Sequence, residues 1–344
     1  MRILLTRMKF IGDVVLTTPH IRSIRAAHPD ASIAYMGDRH AVSLLEGNPA
    51  LAEIIPFDYE RPALLEQARV VRLLRSRRFD VAIDFFGNPR SALLTRLSGA
   101  PVRVGPERKG RGRLYTVQVR DDGAQKSAIQ FHDMSLRAAG FPAAQGMPEI
   151  FLTDDERSRA ADRLRSFGAD PAGGTLVGLH PGATWPAKRW PPERFASLAD
   201  RLAAEDGCTV LLTGGPRDEE VLQEVRKQTH ARVVTLGGLP LRTLAAALSH
   251  LSAYVANDNG TMHIAAAVGT PTVGIFGPGE ENIWFPYRRT DGHIPLRRDV
   301  PCHPCHLDFC NREGEGFMEC MHLLAVGDVL AAVHEARSHG RRGR

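Results

Sequence analysis

The stretch Asn257-Asp258-Asn259-Gly260-Thr261-Met262-His263-Ile264-Ala265-Ala266-Ala267, followed by Gly269-Thr270-Pro271-Thr272-Val273-Gly274-Ile275-Phe276-Gly277-Pro278, reads as a strand end, a polar turn, a helix and the next strand. Strand, helix, strand in that order is the repeating unit of a parallel sheet. A helix that opens beside a glycine leaves its first amides without partners, and the helix dipole adds partial positive charge at the same end. Such an end suits a phosphate. Beside a bound diphosphate, Asp258 and Asn259 are placed to accept hydrogen bonds from sugar hydroxyls. A plain helix cap explains the same residues, because Asp, Asn and Gly are common at helix starts. Both readings stand at this point.

The alternation continues in both directions. Strands are expected at Ile3 to Thr6, Ser32 to Met36, Ile54 to Phe57, Val81 to Phe85 and Val102 to Val104, with helices from Asp13 to Ala27 and Ala63 to Arg77. Residues 107–127, polar and rich in Gly and Arg, read as a mobile loop. A second series starts with Leu176-Val177-Gly178-Leu179-His180 and runs through a helix from Pro192 to Ala204, a strand from Thr209 to Thr213 and a helix from Glu219 to Gln228. It closes on Val233 to Leu236, Leu241 to Ser249, Ala253 to Ala256 and the stretch quoted above. The expectation is an α/β protein of two facing Rossmann-like domains with parallel sheets, 1–165 and 166–336, ending in a basic tail at 337–344. Ligands of open parallel sheets bind beyond the carboxyl ends of the strands, so two facing domains put their sites across one cleft.

At 344 residues the chain is long enough for two ordinary cores, and 43% hydrophobic with 24% charged residues is the balance of a soluble globular protein. It has no apolar run near the ~18 residues a membrane helix needs. Arg7 and Lys9 stand where a signal peptide keeps its apolar region, so the expected compartment is the cytoplasm. The net charge of +5 is unevenly spread: Arg69, Arg72, Arg75, Arg77 and Arg78 share one helix, and Arg103, Arg108, Lys109, Arg111 and Arg113 follow. Clusters of this kind suit an anionic partner such as a phosphorylated acceptor or a lipid surface, or are a solvated face. Aromatic residues are 6% and do not interleave with the arginines, which argues against a single-stranded nucleic-acid platform.

Four segments offer chemistry. Asp13 stands at the start of the first helix in Gly12-Asp13-Val14-Val15-Leu16-Thr17-Thr18-Pro19, where a carboxylate serves as a general base or as an ordinary cap. One glycine there, Gly12, is too few for a dinucleotide fingerprint. The loop His180-Pro181-Gly182-Ala183-Thr184-Trp185-Pro186-Ala187-Lys188-Arg189-Trp190-Pro191 carries Thr184 and Lys188 to grip a diphosphate, with Lys188 stabilising a departing nucleotide. Its tryptophans and prolines, Trp190 foremost, are expected to plug the domain junction. The chain has no Asp-x-Asp pair, so leaving-group stabilisation falls to Lys188 and the amides after Gly260 rather than to a divalent ion. Finally, four of the five cysteines, Cys302, Cys305, Cys310 and Cys320, crowd into residues 302–320. The Cys-x-x-Cys knuckle suits a structural zinc completed by the other two thiolates, although the second pair is unevenly spaced for a standard ribbon. Cys208 reads as a buried small residue.

Together, Gly12-Asp13 through Pro19, His180-Pro181-Gly182 through Lys188-Arg189-Trp190-Pro191, Asn257-Asp258-Asn259-Gly260-Thr261-Met262-His263 and the late cysteine segment resemble glycosyltransferase family 9, the lipopolysaccharide heptosyltransferases. The resemblance covers nearly the whole chain in order, and the cysteine segment is similar to that of the subgroup nearer heptosyltransferase II. It implies the GT-B fold, with the acceptor on the first domain and the nucleotide-sugar on the second. It implies Asp13 as general base, Thr184 and Lys188 as diphosphate contacts, and Asp258, Asn259, Gly260, Thr261, Met262 and His263 as the donor turn. Asn259 departs from the Ser or Thr that many members carry there. The implied donor is ADP-L-glycero-D-manno-heptose. The implied acceptor is a lipid A-linked core oligosaccharide, met by a peripheral enzyme at the cytoplasmic face of the inner membrane, and the implied reaction is inverting and needs no catalytic cofactor. Two other classes remain open on sequence alone: a sugar-nucleotide epimerase of the same fold, and a zinc-stabilised, basic nucleic-acid-binding protein.

Overall fold

A computed structural model of the chain describes residues 1–108 and 110–340; Lys109 of the second basic cluster and the tail residues 341–344 lie outside the described residues. The chain forms two compact units, Met1–Phe151 and Leu152–Arg344. This division departs from the expected boundary after residue 165. The helix Asp154–Ser166, capped by Thr153 and Glu156, packs on the helix Leu241–Leu248. Arg242 pairs with Glu156, and His250 Nε2 lies 2.8 Å from the Arg157 carbonyl, so these contacts tie the helix to the second unit.

The first unit is a six-stranded sheet in which β1 (Arg2–Thr6), β2 (Ser32–Asp38), β3 (Glu53–Phe57), β4 (Val81–Asp84), β5 (Val102–Pro106) and β6 (Val117–Val119) lie in the order β3-β2-β1-β4-β5-β6. All its pairings are parallel. Side chains alternate across a strand, and both faces here are apolar: Ile3, Leu5, Ile33, Tyr35 and Ile83 join one core, Leu4, Ala34, Met36 and Ala82 the other. The expected helix from Asp13 to Ala27 is two helices, Ile11–Leu16 and Thr18–Ala27. Pro19 has no N–H to continue a helix and sits in the first turn of the second one, where none is needed. The expected loop at 107–127 contains the edge strand β6.

The second unit repeats the plan. β7 (Leu176–His180), β8 (Thr209–Gly214), β9 (Val233–Gly237), β10 (Ala253–Asn257), β11 (Thr272–Ile275) and β12 (His293–Leu296) lie in the order β12-β11-β10-β7-β8-β9, again all parallel. Counted from its own first strand, this is the same doubly wound order as in the first unit. Its main core joins Val177, Leu179, Phe195, Val210, Val255 and Val333. Trp190, expected at a domain junction, is fully buried in this core, and its Nε1 donates to the Leu324 carbonyl at 2.9 Å. An indole is stable in an interior where its one donor is satisfied.

Doubly wound sheets have one place where the strand order reverses, and adjacent loops there leave in opposite directions to open a crevice. That place lies between β1 and β4 in the first unit and between β7 and β10 in the second.

Candidate active site

In the first unit, the loop leaving β1 carries Arg7 and the helix that follows carries Asp13. Phe10 occupies the cap position and Asp13 the third helical position, from which its Oδ2 accepts the Phe10 amide at 3.3 Å. Its Oδ1 is ion-paired with the Arg7 guanidinium, and both residues are buried. Arg7 lies over the ring of Phe86, which follows β4, with its Cζ 4.3 Å from the ring centre. Asp13 is thus not the N-cap itself: from the third helical position one of its oxygens meets the cap residue's amide and the other the Arg7 guanidinium. Behind them stand Tyr35, bonded to Thr17 Oγ1 at 2.6 Å with its phenol pushed up by burial, and His132, whose imidazole burial and then His20 and Arg7 push down.

In the second unit, Lys188 lies on the short turn Pro186–Lys188 after β7, and Asp258 follows β10. Their side chains form an ion pair across seventy residues of sequence, which brings together two of the predicted site residues at the switch point. A Cβ on Gly279 would lie 3.0 Å from Asp258 Oδ2 and 3.8 Å from Lys188 Nζ. The loop after β11 thus rests on the pair, which leaves little room for any larger residue there. Thr184 is exposed on the same loop as Lys188.

The helix Gly260–Ala267 begins as expected, and its cap is Asn259: the side-chain Oδ1 accepts the amides of Thr261 at 2.9 Å and Met262 at 3.2 Å. Two amides assigned to a phosphate are satisfied by a side chain here, so the cap reading describes them in this structure. Met262 and His263, expected at the donor, are buried. The Met262 sulfur is packed against Gly274, and His263 Nδ1 is 2.8 Å from Tyr287 Oη. A run of hydrogen bonds crosses the strand ends: His180 Nδ1 to Thr213 Oγ1 at 3.0 Å, Thr213 Oγ1 to Tyr254 Oη at 2.7 Å, Tyr254 Oη to Thr261 Oγ1 at 3.2 Å, and Thr261 Oγ1 to Asn259 Oδ1 at 2.7 Å. Asn259 Nδ2 then donates to the Gly182 carbonyl at 2.9 Å. Asn257 was quoted in the sequence without a role; it takes the Trp190 amide at 3.0 Å and donates to the Pro181 carbonyl at 2.8 Å, fixing the Lys188 loop at both ends. Arg7, Asn257 and Gly279 are the residues sequence reasoning passed over. Arg7 alone carried a local signal, a cation six residues upstream of a candidate base.

The late cysteines are free thiols, and among the described residues no three His, Cys, Asp or Glu side chains converge on a position that would hold a metal ion. The zinc expectation for Cys302, Cys305, Cys310 and Cys320 is not met. Cys310 Sγ accepts the Met318 amide at 3.3 Å, Cys302 faces the Arg312 guanidinium, and burial together with the other three sulfurs pushes the Cys320 thiol up to about 11. The segment braces the site instead. His303 Nε2 lies 2.9 Å from the Gly279 carbonyl, the His306 amide donates to Pro278 at 3.0 Å, and Asp308 accepts the Ala187 amide at 3.1 Å.

The basic clusters also resolve. On the helix Ala63–Arg77, Arg69 pairs with Glu66, Arg77 with Glu53, and Arg75 donates to the Leu97 carbonyl. Two of the five arginines are thus neutralised by carboxylates. Arg108 and Arg113 instead line an open cavity of about 670 Å³ with Glu107, Gly110, Gly112 and Gln118.

Two doubly wound parallel-sheet units with polar residues at their switch points have the architecture of the GT-B fold. Residues 67–313 match the model of glycosyltransferase family 9 (heptosyltransferase). Lipopolysaccharide heptosyltransferase 2 of Salmonella typhimurium is 30% identical over 347 residues, 94% of this chain and 98% of the relative; its Escherichia coli K12 counterpart is 29% identical over 302 residues, 83% and 85%. The crystal structure of a glycosyl transferase family 9 protein from Veillonella parvula superposes with a TM-score of 0.85 at 26% identity, covering 98% of this chain and 97% of that one. Escherichia coli ADP-heptose lps heptosyltransferase II gives 0.81 at 25%, covering 99% and 100%. The chain belongs to glycosyltransferase family 9, the heptosyltransferases. It is a glycosyltransferase, which sets aside the epimerase and nucleic-acid-binding readings.

Proposed function

We propose that the protein transfers heptose from ADP-L-glycero-D-manno-heptose to an inner-core sugar of a lipid A-linked lipopolysaccharide acceptor, by a single inverting displacement that needs no catalytic metal. The first unit takes the acceptor and the second the nucleotide-sugar. Asp13 accepts the proton of the acceptor hydroxyl as that oxygen bonds to the anomeric carbon. The bond from that carbon to the diphosphate oxygen breaks, and ADP leaves with the electron pair. Lys188 and Thr184 hold the diphosphate against the start of the helix at Gly260, and Asp258 takes hydroxyls of the sugar. The reading rests above all on the Lys188–Asp258 pair at the switch point between β7 and β10: a cation and a sugar-binding carboxylate in contact, under a loop kept close by Gly279. The absence of any Asp-x-Asp pair supports charge stabilisation by Lys188 in place of a divalent ion. No helix among the described residues is long and apolar enough to cross a membrane, in keeping with peripheral work at the cytoplasmic face of the inner membrane.

Calorimetric titration with ADP-heptose, UDP-N-acetylglucosamine and a short RNA tests the donor, followed by turnover with a core acceptor in the presence of EDTA. Selective ADP-heptose binding, EDTA-resistant turnover and an inverted anomeric configuration in the product are expected. Binding of the UDP-sugar alone, or a retained configuration, would overturn the reading.

A further inference from the structure

The carboxyl edge of the first sheet carries two cations that are not neutralised as their neighbours are. Arg39 is paired with Asp58 and Glu60, and Arg61 with Asp58, while Asp38 is occupied capping the amides of His40 and Ala41. Lys9, in the loop after β1, and Arg90, in the helix after β4, have no carboxylate within ion-pair distance among the described residues. Both are held on aromatic rings instead: Lys9 Nζ is 4.6 Å from the centre of Tyr59, and Arg90 Cζ is 5.0 Å from Tyr59 and 5.3 Å from Phe57. Phe57 is buried and fixes Tyr59, with ring centres 4.9 Å apart. An aromatic face orders a cation without cancelling its charge. Two like charges gathered on one ring repel each other, and an oxyanion between them removes that cost.

We propose that Lys9, Tyr59 and Arg90 form a subsite for an anionic group, phosphate or carboxylate, on the acceptor sugar. The subsite adjoins the candidate base: Lys9 belongs to the loop whose Phe10 amide bonds Asp13, and Arg90 lies four residues past Phe86, on which Arg7 is stacked. An anion held there positions the neighbouring hydroxyl against Asp13. The paired arginines of the helix Ala63–Arg77 do not share this role. The inference rests on the heptosyltransferase reading above.

The test uses the full chain with ADP-heptose and an O-deacylated lipid A-linked core acceptor, untreated, phosphatase-treated or carboxyl-reduced. Lys9→Met and Arg90→Gln are each expected to raise the acceptor KM about tenfold and to leave ADP-heptose binding unchanged. Arg72→Ala, an exposed arginine on the helix Ala63–Arg77, is expected to keep the wild-type value. Wild type should lose affinity for one of the two treated acceptors, which identifies the anion, and both subsite variants should bind treated and untreated forms alike. An acceptor KM within twofold of wild type in both variants overturns the subsite while leaving the transfer reaction standing; so does an equal rise in Arg72→Ala. A wild-type protein that neither binds the acceptor nor transfers to it overturns both.

Discussion

Asp13 divides its oxygens, one on the guanidinium of Arg7 and one on the Phe10 amide at the longer distance of 3.3 Å. The weakly engaged oxygen is the one free to take a proton. Asp13→Asn keeps the shape and removes the base, so turnover should fall by about 10²- to 10⁴-fold with ADP-heptose affinity nearly intact; turnover close to wild type would remove Asp13 from the mechanism. On the proposed mechanism, Arg7 acts through Asp13 as a positioning residue. Arg7→Met should lower kcat and spare the ADP-heptose KM, with partial recovery in Arg7→Lys, whereas a purely structural role would lower stability and leave the kinetics of the folded fraction alone. Lys188→Ala removes the cation and leaves Asp258 buried without its partner. Donor affinity should drop by the ~1.5 to 3 kcal/mol of a charge-assisted contact. Adding Asp258→Asn to that variant should recover thermal stability without recovering affinity, since the stranded carboxylate is then gone.

At the scale of elements, the helix Gly260–Ala267 has a cap that competes with a ligand for the same amides. Asn259→Ala should cost about 1 kcal/mol of stability and free the Thr261 and Met262 amides. If the diphosphate uses those amides, ADP-heptose affinity in the variant holds or rises; a large fall would mean that Asn259 itself contacts the donor. The quoted stretch revealed the strand, turn, helix and strand because each is a local pattern. The alternation of Ile3 and Leu5 against Leu4 is local in the same way, and so are the two switch-point loops that end in Asp13 and Lys188. The edge strands Val117–Val119 and His293–Leu296 escaped notice, since three or four residues on a sheet margin carry too little apolar periodicity. The roles of the arginines and cysteines escaped for a different reason. Arg77 meets Glu53, and His303 meets Gly279, only after the sheets are assembled, and no spacing along the chain encodes those meetings. Even Lys188 and Asp258, each singled out, gave no sign in sequence of being partners.

Across the whole molecule, three of the buried histidines, held below the usual imidazole range, tie stability to pH. Burial pushes His180 down to about 4, against a raising contribution from Asp218, and pushes His293 down to about 4 against Asp291. His132, in the first unit, is pushed well below 6.5 by burial and then by His20 and Arg7. A histidine whose folded pKa lies below its unfolded value binds its proton first in the unfolded chain, so the stability it contributes is complete above about pH 6.5 and is lost as the pH falls toward the folded pKa. At pH 5 the loss is roughly 2 kcal/mol for each of His180 and His293. The carboxylates held below their usual range, Glu66 and Asp328 among them, titrate in a lower window and leave this one to the imidazoles. One of the three lies in the first unit and two in the second, so urea unfolding at pH 7.5, 6.5, 5.5 and 5.0 should show both units losing stability below pH 6.5. His293→Gln should flatten the second unit's slope by one proton. A stability that stays level from pH 6.5 to 5.0 in both units would mean that these imidazoles reach solvent.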